Sequence, residues 1–252
     1  MRGGATSEVD GEAELPGRGH GARRTLVIAC GALAREIVHL QRGPLAHIDV
    51  TCLPAKLHNR PERIPAEMRR KIRESRAAYD EILCLYADCG TGGELDRVLG
   101  EEGVTRIEGA HCYEFFAGPG DFAAMMEEEP GTFFLTDFLV RHFDRLVIAG
   151  LGLDRFPQLR DDYFRHYRRL VYLAQFEDNE LTLKAEAAAG RLGLAFERRL
   201  TGLGDVTKFL ARLDEGAPSS ANTPVQTDAT LGDSASLIAR MLRRAQDCRW
   251  RN

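Results

Sequence analysis

The sequence predicts an α/β protein: a doubly wound, mainly parallel sheet of about seven strands with helices on both faces. Three observations carry this. Short apolar runs alternate with longer amphipathic stretches, the pattern of repeated strand–helix–strand units. Glycines close the amphipathic stretches just before the next apolar run, as at Gly100 and Gly103 and again at Gly190 and Gly193. The chain has 252 residues, 44% of them hydrophobic and 29% charged, enough to bury a core without disulfide or metal staples.

Taken in order, residues 1–24 are rich in Gly, Glu and Arg and lack the apolar stretch of a secretory signal, so they read as a flexible leader. Strands are expected at 25–29, 48–53, 81–87, 105–108, 145–149, 169–174 and 195–200, each a short apolar run bounded by polar or turn-forming residues. Helices are expected at 32–40, 66–79, 93–99, 113–128, 133–143, 155–167, 178–192 and 205–213, where apolar residues recur three and four apart. The core is expected to end near Leu213. Residues 215–234 shift to Ala, Pro, Ser, Thr, Asn, Asp and Gly, the composition of a linker. In 235–252, Leu237, Ile238, Met241, Leu242 and Ala245 fall at helical spacing beside Arg240, Arg243, Arg244, Arg249 and Arg251. That segment reads as a basic amphipathic helix that packs back on the domain or a second subunit, or docks an acidic partner. No internal repeat of fixed period is present.

Charge and hydropathy narrow the function classes. Thirty-four basic against thirty-eight acidic side chains leave a formal charge of −4, so neither nucleic acid nor an anionic membrane is an expected partner. No apolar run approaches the length of a membrane span. Six cysteines with no dense spacing framework and no export signal read as reduced thiols of a cytoplasmic protein.

In an open α/β sheet, ligands gather at the carboxyl ends of the strands, where loops diverge and helix N-termini point N–H groups into the crevice. Cys30, Cys89 and Cys112 each follow a predicted strand, and His58 and Arg60 sit in the loop after a fourth. Cys52 and Cys84 fall inside strands and read as core. Thiolates with imidazole suit zinc, and clustered cysteines suit an iron–sulfur centre, so Cys30, Cys89 and Cys112 with His58 or His111 form a candidate metal set. No CxxC pair is present, and buried cysteines also pack as small hydrophobes. A third use is nucleophilic: a thiol at a helix N-terminus beside a histidine is activated as thiolate.

The segment Cys89-Gly90-Thr91-Gly92-Gly93 puts three glycines between strand and helix, where the backbone can approach a small anion. It matches neither a Walker A loop nor a dinucleotide fingerprint, and a plain tight turn is the competing reading of its glycines. Arg60 can pair with such an anion, and Glu114, beside His111 and Cys112, is either a ligand-facing carboxylate or favourable charge in a helix first turn. His142 is expected to face the core, the glycines of 150–155 to enter a helix at the same sheet edge, and His20, His39 and His166 to carry no chemistry.

The ordered segments Ala29-Cys30-Gly31-Ala32-Leu33, Leu53-Pro54-Ala55-Lys56-Leu57-His58-Asn59-Arg60-Pro61-Glu62, Asp88-Cys89-Gly90-Thr91-Gly92-Gly93 and His111-Cys112-Tyr113-Glu114, followed by Leu151-Gly152-Leu153-Asp154 and Leu173-Ala174-Gln175, resemble the family catalogued as domain of unknown function 1638. The resemblance runs from about Leu26 to Leu213 and includes Cys30, His58, Cys89 and Cys112. It implies a setting beside corrinoid-dependent methyltransferase systems, with a corrinoid protein or methyltransferase as partner, and it implies no particular reaction. The expectation is a cytoplasmic zinc or iron–sulfur protein of corrinoid-linked one-carbon metabolism. The alternatives are a metal-free binding or assembly partner and a cysteine-nucleophile enzyme.

Overall fold

The computed structural model describes residues 24–43 and 46–211. The expected leader (but for Arg24), the end of the core near Leu213, the linker and the basic C-terminal helix lie outside those residues. Four parallel strands, β1 (Thr25–Cys30), β2 (Asp49–Leu53), β3 (Glu81–Leu85) and β4 (Thr105–Arg106), form one sheet in the order β2-β1-β3-β4. Three more, β5 (Thr132–Thr136), β6 (Arg169–Ala174) and β7 (Ala195–Leu200), form a second parallel sheet in sequential order. The fold is therefore α/β with parallel strands as expected, but the strands are shared between two sheets rather than joined in one.

The division has a local cause. Strand β4 pairs over only two residues, after which the chain enters α4 (Cys112–Ala117). Helix α4 is too aromatic to lie on a solvated face: Phe115 and Phe116 are buried in the core of the first sheet, while Tyr113 packs on Phe134 of β5 at 5.4 Å between ring centroids. The helix thus packs side chains into the cores of both sheets. After β7 the chain returns as α9 (Gly204–Ala211), whose Val206 and Leu210 are buried in the first core. Gly204 is obligatory there, because a Cβ would lie 2.6 Å from the Phe116 carbonyl oxygen.

The remaining helices are α1 (Ala34–Gln41), α2 (Ile64–Ser75), α3 (Glu94–Glu102), α5 (Pro119–Glu128), α6 (Asp137–Arg141), α7 (Leu159–Phe164) and α8 (Asn179–Leu192). Three segments depart from expectation, the first two of them apolar. Residues 133–143, expected as one helix, split into β5 and the short α6, with Thr136 capping α6 through its hydroxyl. Residues 145–149, expected as a strand, lie in a π-helical turn at Asp144–Ile148. Both are continuous apolar runs, which periodicity alone assigns to neither class; pairing with β6 decides the first and packing of Val147 in the second core decides the other. The expected helix at 113–128 is broken at Gly118, whose φ of 81° precedes Pro119. Cys84 is core as expected, whereas Cys52 is exposed because β2 is an edge strand. Among the described residues no helix is long and apolar enough to cross a membrane.

Candidate functional site

In the first sheet, β1 connects to β2 on one side and the chain returns to β3 on the other, so the carboxyl ends of β1 and β3 flank a switch point where a crevice opens. Cys30 is the last residue of β1, and Cys89 follows β3 by a few residues. Beside them, β2 leads into the 3-10 turn Ala55–Asn59 that carries His58, and β4 leads to His111 and Cys112 at the start of α4. All four strand ends thus contribute to one rim.

Cys30 Sγ and His58 Nε2 lie 3.8 Å apart there. His58 Nδ1 lies 2.9 Å from the Ala55 carbonyl oxygen and donates to it, which leaves Nε2 facing the thiols. Cys30 also accepts from the Ala32 backbone N–H at 3.3 Å, and Tyr86 stacks on the other face of the His58 ring, 5.6 Å between centroids. Burial works against charge on both partners, yet their mutual attraction outweighs it. The Cys30 thiol is held below its ordinary value, by the charge and hydrogen bond of His58 and the Ala32 N–H. His58 is held well above the usual imidazole range by Cys30 and then by Cys89. Both shifts run toward the charged forms, thiolate on Cys30 and imidazolium on His58. Tyr86 remains a neutral phenol, pushed up by burial and by the neighbouring Cys30 and Cys89.

Cys89 shares His58 with Cys30 but faces outward. It is the only described non-glycine residue in the left-handed region, with φ of 49°. Such backbone costs of order 1–3 kcal/mol and persists where the surroundings impose it. Cys112 is also drawn into the group, its thiol pushed well up by burial and by Cys89 and Cys30. Beneath the rim lies Glu36 of α1, only 2% exposed, with one carboxylate oxygen that makes no hydrogen bond. Burial, with the charge of Asp137, raises it to about 7. Asp137, at the start of α6, accepts from the Tyr172 hydroxyl at 2.7 Å and the Gln175 N–H at 3.0 Å, and pairs with Arg35 at 3.4 Å. It ties α1 of the first sheet's layer to the second sheet.

Above the thiols a cavity of about 110 Å³ opens between the two sheets. Cys89, Cys112, His58 and His111 line one side, and Phe133, Phe138, Leu139, Leu146 and Val147 the other. His111 is 7% exposed, and its buried Nδ1 makes no hydrogen bond within the protein. Burial holds its ring below the usual imidazole range, against an opposing pull from Asp88, so it is neutral.

The structure therefore brings Cys30, His58, Cys89 and Cys112 together, and sets His111 on the same cavity with a different charge partner. Among the described residues no three His, Cys, Asp or Glu side chains are arranged to hold a metal ion. The glycine loop is occupied by the chain itself. The Asp88 carboxylate accepts from the Thr91 hydroxyl and from the N–H groups of Gly92 and Gly93, at 3.2 and 3.0 Å, where an anion was expected. Gly90, Gly92 and Gly93 take positive φ to form that turn. Arg60 is exposed outside the cavity lining, and Glu114 is used structurally, accepting from the Ala110 N–H at 2.9 Å. His142 packs edge-on against Phe138 at 4.7 Å, and His39 and His166 are exposed.

Glu36, Tyr86 and Asp137 join the site without having been expected there. For Glu36 a signal exists: it falls three residues after Leu33 and four before Leu40, on the face whose other members are apolar. Tyr86 and Asp137 carry no comparable mark.

The sequence profile of a family described as Protein of unknown function (DUF1638) matches residues 52–210. The matched stretch includes His58, Cys89, His111 and Cys112 and begins after Cys30. No curated protein and no solved structure matches the chain.

Proposed function

The chain belongs to the DUF1638 family, whose description carries no activity, and we propose from the site itself that the protein is a cysteine-based enzyme of the cytoplasm. Cys30, His58 and Cys89 act as one unit that holds a thiolate at neutral pH, and Cys89 presents it to the cavity. The observation that carries this reading is the Cys30 Sγ–His58 Nε2 contact at 3.8 Å, with His58 Nδ1 tied to the Ala55 carbonyl so that the ring cannot turn away from the sulfurs. The chemistry such a unit performs is attack of thiolate sulfur on a soft electrophilic carbon: a carbon–sulfur bond forms and the leaving group departs with its electron pair. Methyl transfer beside a corrinoid protein or methyltransferase is a setting of that kind, and we propose it as the physiological one.

Alkylation with iodoacetamide, with the labelled residue located by mass spectrometry, tests the reading. Cys89 or Cys30 is expected to react at least tenfold faster than free cysteine at pH 7, and the advantage is expected to vanish in His58→Gln. Rates no faster than free cysteine at both positions would refute it.

A second reading is favoured by one observation. His58 offers Nε2 to two thiols while Nδ1 is held by a backbone carbonyl, the support that metal-bound histidines usually have. Cys30, His58, Cys89 and Cys112 would be the donors for zinc or an iron–sulfur cluster, a set of soft and borderline ligands suited to both. Zinc would supply Lewis acidity and a stabilised thiolate; a cluster would supply electron transfer. Metal and acid-labile sulfide analysis of anaerobically purified protein decides it: near-stoichiometric metal, lost in a folded Cys89→Ser variant, supports this reading. Metal-free protein with inert, buried thiols leaves a binding or assembly role.

A further inference from the structure

Strand β7 ends the second sheet, and among the described residues no strand flanks its far side. The ladder fixes which backbone groups are left over. Ala195 N–H donates to the Arg168 carbonyl and Thr201 N–H to the Ala174 carbonyl, and along a parallel strand the residues that bond one neighbour alternate. Residues 195, 197 and 199 therefore bond inward to β6, and the N–H and C=O groups of Phe196, Arg198 and Leu200 point outward. An edge of this kind is a template for another strand, and proteins that avoid such pairing blunt it with proline, lysine or a bulge. β7 has none of these: its register on β6 is unbroken over six residues, and Leu200 is 52% exposed. The opposite edge strand, β5, is buried at every residue.

The charges of β7 complement a second copy of themselves. Residues opposite one another in an antiparallel ladder share a face, so a two-fold axis between two β7 strands passes through a residue. Centred on Arg198, the pairing joins the outward groups of Phe196, Arg198 and Leu200 to those of Leu200, Arg198 and Phe196 in the copy. It sets Phe196 against Leu200 and Glu197 against Arg199, each twice. Glu197 and Arg199 occupy the non-hydrogen-bonded positions, where facing side chains come closest. Within one chain Glu197 already pairs with Arg199, so the two copies close a ring of alternating charge. Arg198 meets its own copy, but each guanidinium is held by Glu177 at 2.7 Å. An axis one residue earlier or later would bring Glu197 onto Glu197 or Arg199 onto Arg199 at the closest positions. We propose that two copies of the chain associate through β7, antiparallel about Arg198, joining two three-stranded sheets into one continuous sheet.

Sedimentation velocity and residue-resolved amide hydrogen exchange on the full chain test this across a dilution series. A species of twice the monomer mass is expected at high concentration. On its formation, exchange at Phe196, Arg198 and Leu200 is expected to slow by about tenfold or more, with Ala195, Glu197 and Arg199 unchanged. Arg198→Pro removes an N–H that the chain's own sheet does not use and is expected to give a folded monomer. Arg199→Glu sets like charges face to face and is expected to weaken association about tenfold. Mixed with Glu197→Arg, it is expected to form a mixed dimer tighter than either variant forms alone. A monomer at millimolar concentration, a dimer that leaves the three outward amides unprotected, protection of those amides that ignores dilution, association indifferent to Arg198→Pro and Arg199→Glu, or no recovery on mixing two folded variants would each overturn the proposal. The wild-type exchange pattern decides the matter even where a variant fails to fold.

Discussion

Replacing Glu36 with Gln is expected to stabilise the protein, and to do so only above mildly acidic pH. The carboxyl group is 2% exposed, and one of its oxygens has no hydrogen-bond donor. Burial, then the charge of Asp137, raises it from 4.5 to about 7, against its own backbone N–H and Arg35, which pull it down. The sign follows from proton linkage. The unfolded chain releases this proton near pH 4.5 and the folded chain holds it to about pH 7. The stability this provides is complete below pH 4.5 and is lost as pH rises through 7. At about 1.4 kcal/mol for each tenfold change in proton affinity, the whole effect is about 3 kcal/mol. Glutamine keeps the shape and removes the charge. In urea unfolding at pH 5, 6, 7 and 8, the advantage of Glu36→Gln over wild type is expected to grow by about 2 kcal/mol across the series. Other groups that titrate in this range, His58 among them, are common to both proteins and cancel in the difference. A difference that does not change with pH, or a variant less stable at pH 8 than at pH 5 relative to wild type, would show that burial does not hold the proton on Glu36 in the folded state.

Two further substitutions probe the backbone that positions the thiols. At Cys89, where φ is 49°, glycine is expected to be more stable than alanine by about 1 kcal/mol, the reverse of the usual order, and thermal melting of the two variants compares them; alanine above glycine would mean the left-handed geometry carries no cost. At Gly31, an added Cβ would lie 2.8 Å from the Leu53 carbonyl oxygen and 3.0 Å from the Ala55 nitrogen, both backbone atoms of the segment leading to His58. Gly31→Ala is expected to cost about 2 kcal/mol in unfolding free energy and to slow iodoacetamide labelling of the thiol unit. Wild-type labelling rates in a destabilised variant would separate the packing role of Gly31 from the placement of His58.

Much of this architecture was legible in the chain because its cause is local. Strands β1, β3 and β6 are apolar runs bounded by polar residues, α8 is capped by Asp178 and stopped by Gly193, and these read correctly from residue type and spacing. So did the position of each site residue after a strand, since the rule that strand carboxyl ends face the crevice needs only the order of elements. What failed had no local signature. Thr132-Phe133-Phe134-Leu135-Thr136 and Leu146-Val147-Ile148 are equally apolar, yet the first pairs with β6 and the second winds into a turn. The glycine loop admitted either an anion or a plain tight turn, and a sequence does not show that Asp88 folds back onto Gly92 and Gly93.

The sequence by itself determined the α/β class, the parallel strands and the set of cysteine and histidine side chains available for chemistry, because each follows from side-chain periodicity and from which residues end a strand. Tertiary structure alone decided that the strands form two sheets, that α4 packs into the cores of both, and that Cys30, His58 and Cys89 meet beside a cavity that His111 also lines. Those outcomes depend on contacts between segments far apart in the chain. The burial and neighbours that lower Cys30, raise His58 and Glu36 and lower His111 come into being only when the chain has folded.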